Sequence, residues 1–197
     1  MGRFVYWMNV SLDLRIEHAV DEQGGGSWMR ISESLHREFN ARALRLAMSV
    51  EGRRIYETME AFWPAAIDDE SMPDYMREYG QIWTQANKVL VSNTRTQAQY
   101  GTRIIGGADA IEQLAQLRRE TDGDIGVGGA NVATQLLRHG LLDELLLFTH
   151  PVVLGSGRPL FDDLDAPVEC DLLEQASFED GVVLHRWAVR KTEPAQT

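Results

Sequence analysis

With Cys170 as its single cysteine, the chain can form no intrachain disulfide, and this scarcity predicts a reducing, cytoplasmic setting. Long apolar runs are also missing. The longest, such as Leu145-Leu146-Leu147-Phe148, fall far short of the roughly 20 residues a membrane-spanning helix needs. The first residues have no basic segment, apolar core and small-residue cleavage site in sequence, so no signal peptide is expected. Basic residues are few, 19 against 30 acidic ones, for a net charge of −11. Nucleic acid is therefore a poor partner and none is expected, because its affinity rests on basic surface. The five histidines (18, 36, 139, 150 and 185) show no ligand spacing, so no metal is predicted. No Cys-x-x-Cys with a His-x-Glu partner is present to build a zinc deaminase. Gly155-Ser156-Gly157 lacks the spacing of a hydrolase nucleophile elbow.

What is present reads as one α/β domain over residues 1–190 with a disordered tail at 191–197. Strands are expected at 3–12, 47–51, 88–92, 102–106, 143–150, 168–178 and 182–190, with the last two joined by an Asp180-Gly181 hairpin turn. Residues 13–32, with Gly24-Gly25-Gly26, read as a mobile loop. Helical periodicity covers 33–48, with Phe39, Ala43, Leu46 and Ala47 on one face. A second helix follows Gly52 and is expected to stop at Pro64, and the acidic stretch 68–78 reads as a surface excursion with at most a short helix. Asp109 and Glu112 have capping-box spacing for a helix over 109–120, and Gly140 is placed to stop a helix over 130–139. This alternation predicts a mainly parallel sheet covered on both faces and finished by an antiparallel hairpin.

Ligands in such sheets sit at the carboxyl ends of the strands. Two glycine-bearing turns fall there: Gly52-Arg53-Arg54, and the cluster Gly126, Gly128, Gly129 ahead of Ala130. Neither is a Rossmann fingerprint, since Asn131 stands where the third glycine belongs, and no Lys-Ser or Lys-Thr follows to make a phosphate loop. Both still let a phosphate approach backbone N–H groups at a helix N-terminus. Arginines at that end of a helix are unfavourable unless an anion compensates them.

Three segments in order, Gly52-Arg53-Arg54-Ile55-Tyr56-Glu57 with Phe62-Trp63-Pro64, Lys88-Val89-Leu90-Val91-Ser92, and Gly126 to Phe161, resemble the dihydrofolate reductase-like superfamily. The branch they resemble most is the reductase domain of riboflavin biosynthesis and its stand-alone relatives, which Val10-Ser11-Leu12-Asp13 and Trp28 also match. The resemblance implies a dihydrofolate reductase-like fold and an NADPH-dependent reductase of a small heterocycle, such as 5-amino-6-(5-phosphoribosylamino)uracil. By the same resemblance, Gly52, Arg53 and Arg54 meet the cofactor phosphates. Ser92, Asn93 and Thr94 surround the adenosine 2′-phosphate, with Arg95 nearby, and Gly126, Gly128, Gly129 and Ala130 form the nicotinamide-side wall.

Folate reductases use a carboxylate in the first helix after the tryptophan-bearing loop; by that resemblance Glu33 is the candidate to relay a proton, Asp13 is a second candidate for the site, and Trp28 and Arg158 are candidates for substrate contact. Two positions depart from the family pattern: Ile55 replaces a threonine, and Leu14 replaces a glycine. Dihydrofolate reduction, or a non-catalytic nucleotide-binding homodimer, remain the alternatives. The long C-terminal strands favour a homodimer in either case.

Overall fold

Alternating apolar residues set the architecture of this computed structural model, which describes residues 1–19 and 26–191. The elements run β1 (Arg3–Val10), β2 (Arg15–Glu17), α1 (Glu33–Ala43), β3 (Met48–Gly52), α2 (Arg53–Ala66), α3 (Asp74–Gln85), β4 (Lys88–Val91) and β5 (Arg103–Ile105). They continue with α4 (Ala110–Glu120), β6 (Asp124–Gly128), α5 (Ala130–Arg138), β7 (Leu142–Thr149), β8 (Arg158–Pro159), β9 (Cys170–Ser177) and β10 (Val183–Val189). Eight strands form one sheet in the order β5-β4-β3-β6-β1-β7-β10-β9. The first six are mutually parallel; β10 runs antiparallel to β7 and carries β9 on the edge. The expected mainly parallel sheet with a C-terminal hairpin is thus present, and β2 and β8 pair separately.

Parallel register puts Tyr6, Val127 and Val50 in one row, on a face covered by Leu114 and Leu117 of α4 and by Val132, Ala133 and Leu136 of α5. The opposite face carries Val5, Leu146 and Phe148 beneath Leu35 and Phe39 of α1, and Leu90 beneath Tyr56 and Trp83 of α2 and α3. Sequence alternation with period two is what supplies both sets.

Several local expectations need correction. The first helix ends at Ala43, and Leu46 leaves the helical face to fill the space beside Gly126, where a Cβ would come within 2.7 Å of Leu46 Cδ1. Pro64 does not stop α2. It lies in the last turn, where it removes a single N–H···O bond, and the helix closes against α3 instead. That closure depends on Gly80, since a Cβ there would sit 2.6 Å from the Trp63 carbonyl oxygen. The acidic stretch reaches into a full twelve-residue helix, α3, whose buried Gly80 and Trp83 face α2. Its polar composition hid a narrow apolar stripe.

Residues 13–32 are not all loop, because β2 lies within them; residues 20–25, which include Gly24 and Gly25, fall outside the described residues. No capping box forms at α4. The Asp109 carboxylate accepts from the Gln113 side chain and from no helix N–H group. Gly140 does end α5: at φ +65° its N–H donates to Leu137 O while Leu141 donates to Leu136 O, a Schellman closure. Asp180 and Gly181 both take positive φ in the hairpin turn. Of the tail, Lys191 is anchored, with Nζ donating to the carbonyls of Gly140 and Leu142; residues 192–197 lie outside the described residues.

Candidate nucleotide site at the strand ends

The parallel strands β3 and β6 are neighbours, and each feeds directly into a helix. The N-cap of α2 is Gly52 and that of α5 is Gly129, and neither end has a side-chain cap. The first N–H groups of both helices therefore lack partners from a capping side chain. The two ends adjoin: a Cβ on Gly129 would lie 3.7 Å from both Gly52 Cα and Gly52 N. Gly129 has φ +102°, a conformation that glycine adopts without strain. Gly128 packs on Ile55, whose Cγ2 would be 3.3 Å from an added Cβ. Two positive helix ends with bare backbone between them make a cradle whose N–H groups could hold an anion. Gly126 is set apart from it, because its missing side chain is accounted for by Leu46 packing.

Arg53 and Arg54 stand on the rim, both more than half exposed. Arg53 lies 3.5 Å from Glu57, and Arg54 pairs closely with Glu17 of β2. Beyond β4, the Ser92 hydroxyl accepts from the N–H groups of Thr94 (3.2 Å) and Arg95 (3.0 Å), and Asn93 Oδ1 accepts from Gly107 N–H. These bonds shape the loop, and the Thr94 hydroxyl lies 3.4 Å from the Ser92 hydroxyl. On the other flank, Asn131 donates to Asp162, which also holds Arg158 at 2.6 Å. Gly52, Arg53, Arg54, Gly128, Gly129, Ala130 and Arg158 are thus drawn to one end of the sheet by the β3-α2 and β6-α5 junctions and the β8 loop.

The carboxylates behave differently. Asp13 accepts from Ser11 Oγ (2.7 Å), Leu154 N–H (3.0 Å) and Gly155 N–H (2.9 Å), and these bonds hold its pKa down at about 2. It is a tie between two loops, with both carboxylate oxygens engaged by these donors. Glu33 sits in the exposed first turn of α1 and accepts from Arg37 Nε at 2.9 Å, away from the glycine cradle in its hydrogen bonding. Trp28 packs edge-on against His150 at 5.5 Å, and no partner reaches its buried indole N–H among the described residues.

The RibD C-terminal domain family model matches residues 5–184. The chain belongs to this family. The uncharacterized protein YyaP of Bacillus subtilis (strain 168) is 29% identical over 139 residues, 69% of this chain and 71% of YyaP. The deaminase/5-amino-6-(5-phosphoribosylamino)uracil reductase of Thermotoga maritima superposes with a TM-score of 0.63 at 15% identity, over 96% of this chain and 57% of that one. Dihydrofolate reductase from Enterococcus faecalis, complexed with NADP(H) and RAB-propyl, gives 0.58 at 12%, covering 95% and 94%. At these identities the two solved structures establish the dihydrofolate reductase-like fold.

Two groups in this RibD-type domain escaped the sequence reading. His150 is fully buried. Its Nδ1 accepts from Arg30 N–H at 2.9 Å, which leaves Nε2–H to donate to Asn9 Oδ1 at 3.0 Å. The ring therefore pins the Trp28–Arg30 segment to the end of β1. Burial, with Arg30 close by, lowers its pKa to about 4. Glu51, the residue before Gly52, is also buried. Oε1 accepts from Trp83 Nε1 at 3.1 Å, and Oε2 has no partner among the described residues. Desolvation raises its pKa to about 7, against the opposing pull of the Trp83 bond and of Lys88. Lys88 itself is spent on the C-terminal carbonyls of α3 and on the Trp83 ring face, 4.7 Å away. A charged residue inside Met48-Ser49-Val50-Glu51 was the available signal for Glu51; His150, between a strand and Pro151, offered none.

Among the described residues no cluster of His, Cys, Asp and Glu could hold a metal, and no helix is long and apolar enough to cross a membrane.

Proposed function

We propose that this chain is an NADPH-dependent reductase of a small heterocycle, with 5-amino-6-(5-phosphoribosylamino)uracil as the model substrate. The observation that carries the reading is the meeting of two side-chain-uncapped helix N-termini at Gly52 and Gly129, with Arg53 and Arg54 on the rim. That arrangement fits a dinucleotide: diphosphate on the backbone N–H groups around Arg53, Arg54, Ala130 and Asn131, and the adenosine end against Ser92, Asn93 and Thr94. Gly128 and Gly129 give the nicotinamide side an approach to bare backbone. Membership of the RibD C-terminal domain family and the bound NADP(H) of the Enterococcus neighbour support the same cofactor.

When bound, NADPH supplies a hydride to a polarised C=N or C=O bond, and a proton must reach the heteroatom. The chain's own part is to bind, orient and exclude water. With Asp13 tied down, Glu33 is the carboxylate left from the two candidates to hold a ring N–H, with Trp28 and Arg158 on the substrate side. We further propose a cytoplasmic homodimer built on β9. This edge strand exposes Leu172 and Leu173 beside an apolar cavity of about 530 Å³ lined in part by Leu145, Phe161 and Val189.

A non-catalytic nucleotide-binding protein is the second reading, favoured by the engagement of Asp13 and the exposure of Glu33. Calorimetric titration with NADPH, NADP and NADH, followed by cofactor-oxidation assays with the aminouracil and with dihydrofolate, separates the two. Absence of binding by every dinucleotide overturns both readings. Binding without oxidation on any substrate leaves the non-catalytic one.

A further inference from the structure

Glu51 immediately precedes Gly52, the N-cap of α2, and the β3–β6 register sets it beside Gly128. A Cβ on Gly128 would lie 3.9 Å from Glu51 Cγ, so this side chain runs along the underside of the glycine cradle. Glu51 is 6% exposed, with Oε1 held by Trp83 Nε1 and Oε2 without a partner among the described residues. Few charged or titratable groups among the described residues face it. Lys88 of β4 attracts the carboxylate, Tyr79 of α3 feels its charge, and Tyr56 of α2 lies across the Trp83 ring at 5.7 Å. Lys88 donates to the carbonyls of Trp83 and Ala86 and makes no hydrogen bond to Glu51. Arg53 and Arg54 open α2 but pair with Glu57 and Glu17.

A charge on Glu51 lies behind the same helix end that the proposed function offers to the cofactor diphosphate, and the inference rests on that reading. With the cradle empty, the uncapped N-terminus of α2 favours the ionised carboxylate. A bound diphosphate adds negative charge on the other side of the glycines, and like charges disfavour one another's ionisation. Burial leaves little water to screen them. The carboxyl group titrates at about 7, so a modest added field changes its proton occupancy near neutrality.

We propose that Glu51 makes dinucleotide binding proton-linked: occupation of the cradle draws a proton from solvent onto the Glu51 carboxylate, and the site holds its cofactor more tightly on the acid side of neutrality. The linkage is reciprocal, so protonation of Glu51 favours the cofactor by the same factor.

The test is calorimetric titration of the full chain with NADP, which carries the same diphosphate as NADPH and withstands acid. Titrations at pH 6, 7.5 and 9, in buffers of different ionisation enthalpy, give the protons taken up per cofactor bound. Wild type and Glu51→Gln are compared, with thermal melts to confirm folding. The cofactor's own 2′-phosphate, titrating at about 6, cancels in the difference. A tenfold gain in the proton affinity of Glu51 on binding gives the wild type an excess uptake of about half a proton at pH 7.5. The ratio of wild-type to E51Q dissociation constants should then rise about tenfold from pH 6 to pH 9. A purely structural role for Glu51 would shift that ratio equally at every pH. Trp83→Phe removes the donor that favours the ionised form and should move the uptake maximum to higher pH. Equal uptake in wild type and E51Q with a constant ratio, or an uptake maximum unmoved in W83F, overturns the inference and leaves the dinucleotide site standing. Failure of the wild type to bind NADP, NADPH or NADH at any pH overturns the proposed function, and this inference with it.

Discussion

Replacing Glu51 by glutamine isolates one buried ionisation without changing the side chain's shape. The carboxyl pKa is about 7 in the fold against an ordinary value of 4.5, so the folded state favours the protonated form. Its contribution to stability is fully present below pH 4.5 and is lost as pH rises through 7. Integrating between those limits, ionisation costs the wild type about 1 kcal/mol at pH 5 and about 3 kcal/mol at pH 8. The amide of the E51Q variant never ionises and escapes this cost. Any difference in the contact with Trp83 enters as a constant offset, independent of pH. The stability gap between E51Q and wild type should therefore widen in the variant's favour by about 2 kcal/mol from pH 5 to pH 8. With a typical urea slope for a domain of this size, the midpoints move apart by about 1 M. Urea unfolding of both proteins at pH 5, 6, 7 and 8 measures it, and the other titrating groups cancel in the difference. A gap that stays constant across that range would show that Glu51 is already ionised in the fold, and would refute the burial argument.

Three further outcomes follow from single positions. His150 has its pKa lowered to about 4, so the stability it provides is present above pH 6.5 and is lost as pH falls towards 4, by about 2 kcal/mol at pH 5. His150→Asn should remove that acid limb from a plot of urea midpoint against pH, and an unchanged limb rules out the assignment. Gly129→Ala forces a Cβ onto φ +102° and should cost about 1–3 kcal/mol while abolishing calorimetric dinucleotide binding. Wild-type affinity in a folded G129A protein would remove Gly129 from the cradle. Gly80→Ala sets a Cβ against the Trp63 carbonyl and should lower stability by about 1–3 kcal/mol, read as a drop in Tm, with the α2–α3 contact loosened. No change in Tm would mean that the two helices separate freely.

The glycine cradle follows from the connections of the fold. Parallel strands that turn straight into helices bring N–H groups to the sheet's carboxyl edge, and neighbouring strands place two such ends side by side. The residues that complete the rim come from distant segments: Glu17 from β2, Arg95 from beyond β4, and Asp162 after β8. Glu17 balances Arg54 and Glu57, one turn along α2, balances Arg53, so both arginines are tolerated at a positive helix end.

Strand-helix alternation, the hairpin at Asp180-Gly181 and the helix stop at Gly140 were legible along the chain. Each is set by local periodicity or by a backbone conformation that one residue type favours. Gly52 and Gly129 were legible as helix entrances for the same reason. Helix ends at Ala43 and Ala66 were not, because Leu46 filling the gap at Gly126 and Gly80 admitting α3 override local propensity. The roles of Asp13, Glu51 and His150 were decided only by tertiary contacts. A carboxylate or imidazole takes its protonation state from its surroundings, and apart from Ser11 beside Asp13 these partners lie 32 to 142 positions away. Spacing brought the arginines to the site; only packing revealed the carboxylates already holding them.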